Sequence, residues 1–233
     1  MSITIEPLSS AIGAEIRGMD LRDTLSGDVV MQIIGAFYEH GVILFRNQEL
    51  TEDQQLRFAR YFGELGERSL PRDRWPEGAD HNPKIMLISN IRKKGKPIGS
   101  LPDGELWFHH DMCYVQSPPK TTGRVDIEGD ISKITHYFQP VAITHPVTKR
   151  KALYVNPLIT ARIEGLSRPE SDSLLEELLR FKDDPEMVYE HVWHSGDLLV
   201  WDNLCSCHAR TDFASTERRL LRRCTVLGEP LHE

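Results

Sequence analysis

The spacing of apolar residues predicts two amphipathic helices in the N-terminal third of the chain. The first covers residues 25–40, with Ser26 suited to its N-cap and Gly41 suited to its end. Its apolar residues recur at helical spacing, at Val29, Val30, Ile33, Ile34 and Phe37. The second covers residues 51–65 from the N-cap Thr51, with an apolar stripe of Leu56, Phe58, Ala59 and Phe62. Both stripes indicate packing against a core rather than chemistry.

Short apolar or alternating runs predict strands along much of the remaining chain. These runs are residues 2–5, 14–17, 42–45, 84–89, 106–114, 152–156, 189–194, 197–201, 207–210 and 219–227. Ser195 and Gly196 are expected to join two of them as a hairpin. A third helix is expected over residues 167–181, with inward-facing Leu174, Leu175, Leu178 and Leu179.

Residues 65–103 are rich in proline, glycine and charge. Apart from the strand at 84–89, they are interpreted as a long surface segment suited to cover an active site.

These elements predict one domain over residues 1–233, mainly β with helices, which is an α+β fold. A chain of 233 residues with 39% hydrophobic residues can bury a substantial core. The sequence shows no fixed-period repeat and no linker between two cores. Many short strands with supporting N-terminal helices are typical of a β-sandwich or barrel.

Composition narrows the classes of partner. The chain has 28 Lys and Arg residues against 35 Asp and Glu residues, a formal charge of −7, so a nucleic-acid partner is not expected. Neither a signal peptide nor an apolar run of membrane-spanning length is visible, so we expect a cytoplasmic protein without membrane contact. Cys113, Cys205 and Cys207 lie beside histidine-containing segments, which favours reduced thiols over a disulfide scaffold.

The sequence FHHD offers a pair of metal ligands. His109 and Asp111 are two residues apart on a predicted strand, so their side chains would project from the same face, whereas His110 would point to the other. His208, which follows the sequence WDNLCSC, supplies a third candidate ligand. Two histidines and one carboxylate suit non-haem Fe(II) with open coordination positions, although zinc would accept the same set.

The other histidines have no partner at ligand spacing and are interpreted as structural: His40, His81, His136, His145, His191, His194 and His232. Arg219 and Arg223 would share one face of the last predicted strand. They form either a solvated basic edge or, in the sharper interpretation, a guanidinium site for the carboxylate of a small acid bound to the metal.

Together these residues resemble a known family. The H-x-D of FHHD, the WDN before His208, the Arg219 and Arg223 spacing, and the stretches GVILFRNQELTEDQQLRFARYFGEL and THPVTKRKALYVNPLITARIEGLS look like the taurine dioxygenase (TauD/TfdA) family. The resemblance implies an Fe(II)- and 2-oxoglutarate-dependent dioxygenase with a double-stranded β-helix (jelly roll). It implies iron held by the catalytic residues His109, Asp111 and His208, with 2-oxoglutarate chelating the metal and O2 as the oxidant.

The resemblance also implies that Arg219 holds the distal carboxylate of 2-oxoglutarate, and that Arg223 and Met112 contact the prime substrate. That substrate would be a small organic molecule, expected to be anionic, such as a sulfonate or an aryloxy acid. Succinate and CO2 would be released. The oligomeric state is left open between a monomer and a homo-oligomer.

The chain departs from the family in two places. The segment near residues 117–140 is short or incomplete, and the nearest echo of the family's Gly-Gly-Asp-Thr motif, at residues 128–131, has Ile131 in place of the threonine that assists 2-oxoglutarate binding. Residues 66–69 lack the substrate-binding histidine of the taurine enzymes. A catalytically silent jelly-roll binding or assembly protein is therefore the alternative function.

Overall fold

The computed structural model describes residues 3–67, 82–101, 104–113 and 136–231. Within these ranges strands predominate over helices, which confirms the mainly β, α+β prediction. The strands are β1 Thr4–Pro7, β2 Ala14–Arg17, β3 Val42–Phe45, β4 Met86–Ser89, β5 Arg92–Lys93, β6 Lys96–Pro97, β7 Leu106–His109, β8 Ala142–Thr144, β9 Lys151–Leu153, β10 Leu198–Trp201, β11 His208–Arg210 and β12 Leu220–Arg223. The α-helices are α1 Gly27–His40, α2 Glu52–Ala59 and α3 Arg168–Leu179. Short 3-10 helices at Arg60–Phe62 and Arg180–Asp183 continue α2 and α3.

The predicted helix starts are confirmed by capping geometry. Ser26 is the N-cap of α1, and Gly41 ends that helix with a left-handed φ of 68° that glycine adopts without strain. Thr51 and Gln54 form a capping box at α2, and Ser167 and Glu170 form another at α3.

The predicted ends and inward faces of the later helices are less accurate. The α-helical part of α2 ends at Ala59, and a 3-10 turn replaces the predicted continuation to residue 65. Leu175 is buried in α3, but Leu174 is 37% exposed because only one side of this helix faces the core.

A four-stranded sheet in the order β1-β2-β3-β10 forms the body of the fold. All four residues of β3 are buried, and α1 packs against this part of the core through Ile33 and Phe37. The predicted hairpin over residues 189–201 is wrong, because β10 pairs with β3 and residues 189–197 form no strand. Strand β1 lies two residues later than the predicted run 2–5.

Two strand pairs position the candidate site residues. Antiparallel β7 and β11 set His109 opposite His208, and antiparallel β4 and β12 set Met86 opposite Arg223. The strand predicted at residues 84–89 is present as β4, and Ile85 and Leu87 are buried where it pairs with β12. Residues 68–81 and 102–103 of the segment expected to cover the active site lie outside the described residues.

Two smaller pairs, β5 with β6 and β8 with β9, complete the sheet structure of the described residues. Strand β8 was not predicted, and β9 lies one residue earlier than its predicted run and is shorter. In the part of the chain that the structure describes, the helices are too short or too polar to cross a bilayer.

Candidate metal centre

The three predicted ligands converge where β7 and β11 meet. His109 is the last residue of β7, and His208 is the first residue of β11 and its direct partner. Asp111 lies in the turn at residues 111–113, so the predicted strand over 106–114 ends earlier than expected. The turn nevertheless returns the Asp111 carboxylate to the histidines.

The ligand atoms form a compact set. One nitrogen or oxygen from each of His109, Asp111 and His208 lies within 4.8 Å of the others. Asp111 Oδ1 is 3.7 Å from His109 Nε2 and 3.7 Å from His208 Nε2. The two imidazole rings have centroids 4.2 Å apart. This spacing allows all three side chains to contact a single small ion.

Hydrogen bonding supports a metal at this position. His109 Nδ1 donates to the Trp107 carbonyl at 2.8 Å, which fixes the tautomer that leaves the Nε2 lone pair toward the centre. Within the described ranges, His109 Nε2 and Asp111 Oδ1 are buried without a hydrogen-bond partner. Buried polar atoms are rarely left unsatisfied in proteins, so the pair fits a bound cation. Burial lowers the pKa of His109 and of His208, which favours the neutral imidazole that binds metal.

His110 faces away from the centre, as predicted. It is buried, its ring lies 4.4 Å from the ring of Tyr154, and Cys207 Sγ is 3.5 Å from its nitrogens. Burial lowers the pKa of His110 to about 4. His110 therefore packs behind the ligand strand as a neutral side chain.

Of the two predicted arginines, Arg223, the last residue of β12, contacts the candidate ligand Asp111. Arg223 Nη2 donates to Asp111 Oδ2, and the guanidinium lies 5.2 Å from the centre of the Trp201 ring. Burial lowers the pKa of Arg223 to about 9, so the side chain remains cationic at neutral pH. Arg223 is therefore not part of a solvated basic edge.

Arg219, the residue before β12, lies beside the ring of Phe213. Its guanidinium is 5.6 Å from the ring centre, and its buried Nε has no hydrogen-bond partner in the part of the chain that the structure describes. Burial, and then the positive charge of Arg210, lower the pKa of Arg219. A desolvated cation beside a second cation favours an anionic ligand.

Three residues near the centre were missed as site candidates: Trp201, Asn203 and Arg210. The Trp201 ring lies 5.0 Å from that of His208, and Asn203 contacts the backbone of Asp111. Arg210 could have been found from its spacing, because residues two apart on a strand share a face and Arg210 follows His208 by two.

The other predicted site residues lie in different parts of the chain. Met112 follows the candidate ligand Asp111 in the turn and has a left-handed φ of 48°. Five of the histidines interpreted as structural, His40, His136, His145, His191 and His194, lie outside the metal-ligand group. His81, His232 and residues 128–131 fall outside the described residues.

Comparison with known proteins agrees with this geometry. The family model for "Taurine catabolism dioxygenase TauD, TfdA family" matches residues 4–123 and 126–225. The chain belongs to this family. As a TauD, TfdA family member it is an Fe(II)- and 2-oxoglutarate-dependent dioxygenase that uses O2, and the His-Asp-His group fits its iron.

Relatives of this TauD, TfdA member match it over nearly their whole length. Pentalenolactone F synthase of Streptomyces avermitilis is 30% identical over 302 aligned positions, covering 100% of this chain and 97% of the relative. An alpha-ketoglutarate-dependent 2,4-dichlorophenoxyacetate dioxygenase of Cupriavidus pinatubonensis is 27% identical, covering 98% of this chain and 99% of the relative. A solved taurine dioxygenase from Burkholderia xenovorans has a TM-score of 0.76 at 26% identity, covering 99% of this chain and 93% of that chain.

Proposed function

We propose that His109, Asp111 and His208 hold the iron, with Asp111 contributing Oδ1. The observation that carries this assignment is a pair of buried atoms, His109 Nε2 and Asp111 Oδ1, that lie near His208 and have no hydrogen-bond partner among the described residues. Bound iron would supply the activation of O2 that couples decarboxylation of 2-oxoglutarate to hydroxylation of a second substrate, releasing succinate and CO2. The protein's part is to hold three ligands on one side of the ion and leave the other side for substrates.

Arg219 is proposed to bind the distal carboxylate of 2-oxoglutarate. Among the described residues its buried Nε has no hydrogen-bond acceptor, and the positive charge of Arg210 nearby adds to the attraction for an anion. A guanidinium can accept a carboxylate with two parallel hydrogen bonds, which gives direction as well as affinity. This contact would orient the 2-oxo acid so that its other end reaches the metal.

Arg223 and Met112 are proposed to face the prime substrate, which we infer to be a small organic anion. Arg223 remains cationic and lies beside the ligand Asp111, so an anionic group held there would bring the neighbouring C–H bond close to the metal. Two of the relatives are named for such compounds, the aryloxy acid 2,4-dichlorophenoxyacetate and the sulfonate taurine.

The described strand pairs are proposed to belong to a double-stranded β-helix within one domain over residues 1–233. The pairing of β7 with β11 supports this, because it joins strands about a hundred residues apart at the metal ligands. We also infer that the segment near residues 117–140 is short. The alignment with pentalenolactone F synthase spans 302 positions while this chain has 233 residues, so the relative carries additional residues within the matched range.

Succinate formation tests the ligand assignment. His109→Ala, Asp111→Ala and His208→Ala are each expected to abolish Fe(II)-dependent succinate release in the presence of 2-oxoglutarate and O2. His194→Ala is the matched control, since its side chain is 67% exposed and lies outside the ligand group. Full turnover in any of the three ligand variants would contradict the role of that residue. Sulfonates, aryloxy acids, sulfate esters and amino-acid derivatives are screened as stimulants to identify the prime substrate.

A further inference from the structure

The side-chain amide of Asn203 forms two hydrogen bonds with the backbone of the proposed metal ligand Asp111. Its Oδ1 accepts a hydrogen bond from Asp111 N at 2.6 Å, and its Nδ2 donates to Asp111 O at 3.1 Å. Asn203 is completely buried. The amide therefore satisfies both backbone polar groups of a residue 92 positions away in the sequence.

Asp111 needs such support because the strand ladder has already ended. The last pair of β7 and β11 on this side joins His109 to His208, and the chain then turns through Met112, whose φ is 48°. A backbone leaving a ladder loses the partners that fix its direction. Asn203 replaces them with a side-chain pair and so sets the direction in which the Asp111 carboxylate points.

Asn203 is itself held by its neighbour Asp202. Asp202 N donates to Gly41 O at 2.7 Å, which ties the turn to the end of α1. Asp202 Oδ1 accepts from Leu204 N at 2.9 Å, and Asp202 O accepts from Ser206 Oγ at 2.6 Å. Asn203 lies between Asp202 and Leu204, so these contacts restrict its position in the turn.

His145 completes this chain of contacts. Its Nδ1 accepts hydrogen bonds from Val147 N at 3.2 Å and Thr148 N at 3.0 Å. The proton is therefore on Nε2, which donates to Asp202 Oδ2 at 2.9 Å. His145 and Asp202 are both buried, so the contact is shielded from solvent.

We propose that Asn203 is a positioning residue for the metal site, anchored through Asp202 and His145, and that it acts by orienting Asp111. The proposal rests on the assignment of Asp111 as a metal ligand. Residues that orient ligands typically change metal affinity by about 10- to 100-fold when they are replaced. A role confined to stability would leave the metal affinity of the folded protein unchanged.

Binding of Mn(II) alone, measured by electron paramagnetic resonance, tests the proposal without requiring turnover. Asn203→Ala removes both contacts and is expected to raise the Mn(II) dissociation constant by about 10- to 100-fold. Asn203→Gln keeps the amide but lengthens the side chain, and it is expected to weaken Mn(II) binding as well. This second variant retains a buried amide and serves if Asn203→Ala does not fold.

Gln48→Ala is the matched control. The Gln48 amide also holds distant backbone, accepting from Leu21 N at 2.8 Å and donating to Met19 O at 3.4 Å, but it lies outside the ligand group. This variant is expected to lower the unfolding midpoint without changing the Mn(II) dissociation constant. Wild-type affinity in folded Asn203→Ala or Asn203→Gln would overturn the positioning role. Failure of the wild type itself to bind Mn(II) would instead contradict the proposed metal site.

Discussion

Arg223 donates a hydrogen bond to Asp111 Oδ2, whereas Asp111 Oδ1 is turned toward His109 and His208. The two oxygens of one carboxylate thus have separate roles, and the arginine holds the oxygen that does not face the histidines. A guanidinium has five N–H donors, so its contact with Asp111 is compatible with a second anion. Arg223 therefore connects the metal ligand with the proposed substrate position.

Arg223→Ala is expected to weaken the binding of an anionic prime substrate and to leave the binding of 2-oxoglutarate nearly unchanged. A hydrogen bond to a charged group contributes about 1.5–3 kcal/mol, which corresponds to a loss of about tenfold or more in affinity. Calorimetric titration of each ligand into the variant measures the two effects separately. Equal damage to both ligands would contradict a role of Arg223 confined to the prime substrate.

Arg219→Lys is expected to raise the 2-oxoglutarate dissociation constant by about tenfold or more, because lysine keeps the charge but loses the planar pair of donors. The physical reason is that the buried Nε of Arg219 has no hydrogen-bond partner among the described residues. Calorimetry with the metal-loaded protein in the absence of O2 gives the constant directly.

Pyruvate provides the control ligand for Arg219, since it has the 2-oxo acid group but no distal carboxylate. Arg219→Lys should leave pyruvate binding unchanged, and Arg218→Lys, at the exposed neighbouring position, should leave both ligands unchanged. If Arg219→Lys weakens the binding of pyruvate as much as that of 2-oxoglutarate, Arg219 does not bind the distal carboxylate.

His191 is expected to make the stability of the fold depend on pH. It lies within a polar cluster in which Tyr189 OH is 2.9 Å from its Nδ1 and Asp197 Oδ2 is 3.2 Å from its Nε2, with Arg46 and His194 also on Asp197. Burial lowers the pKa of His191 below its ordinary value of 6.5, against the opposing charge of Asp197. The unfolded chain then binds more protons, so stability is full above about pH 6.5 and falls as the pH drops below it.

Urea unfolding between pH 7.5 and pH 5 measures this effect, whose slope is at most about 1.4 kcal/mol per pH unit for one proton. His191→Gln is expected to reduce the slope. His194→Gln changes a side chain that is 67% exposed and should retain the wild-type slope. An identical pH dependence in wild type and His191→Gln would contradict a buried neutral His191.

Local sequence signals predicted local structure well. Ser26 and Thr51 were correctly placed as N-caps, because capping depends on residues within one turn. The strand Val42–Phe45 was predicted with its observed bounds, since a short apolar run between Gly41 and a polar segment has few other solutions.

Pairing between distant segments could not be predicted in the same way. Residues 189–194 have the pattern expected of a strand. In the structure, Asp197 instead contacts Arg46 and His191 in a polar cluster, and β10 pairs with β3. The H-x-D pair came together although Asp111 lies in a turn, because Asn203 supports that turn from far along the chain. Neither arrangement leaves a periodic signal in the sequence.

Anaerobic titration with Fe(II) and 2-oxoglutarate tests the central claim, that His109, Asp111 and His208 hold an iron to which the 2-oxo acid binds. A 2-oxo acid chelated to Fe(II) gives a weak visible charge-transfer band. We expect this band to saturate at one iron per chain, to be absent in Asp111→Ala, and not to form when Zn(II) replaces Fe(II). If the protein binds Fe(II) fully but develops no band with 2-oxoglutarate, the proposed iron site is contradicted and a catalytically silent binding protein is favoured.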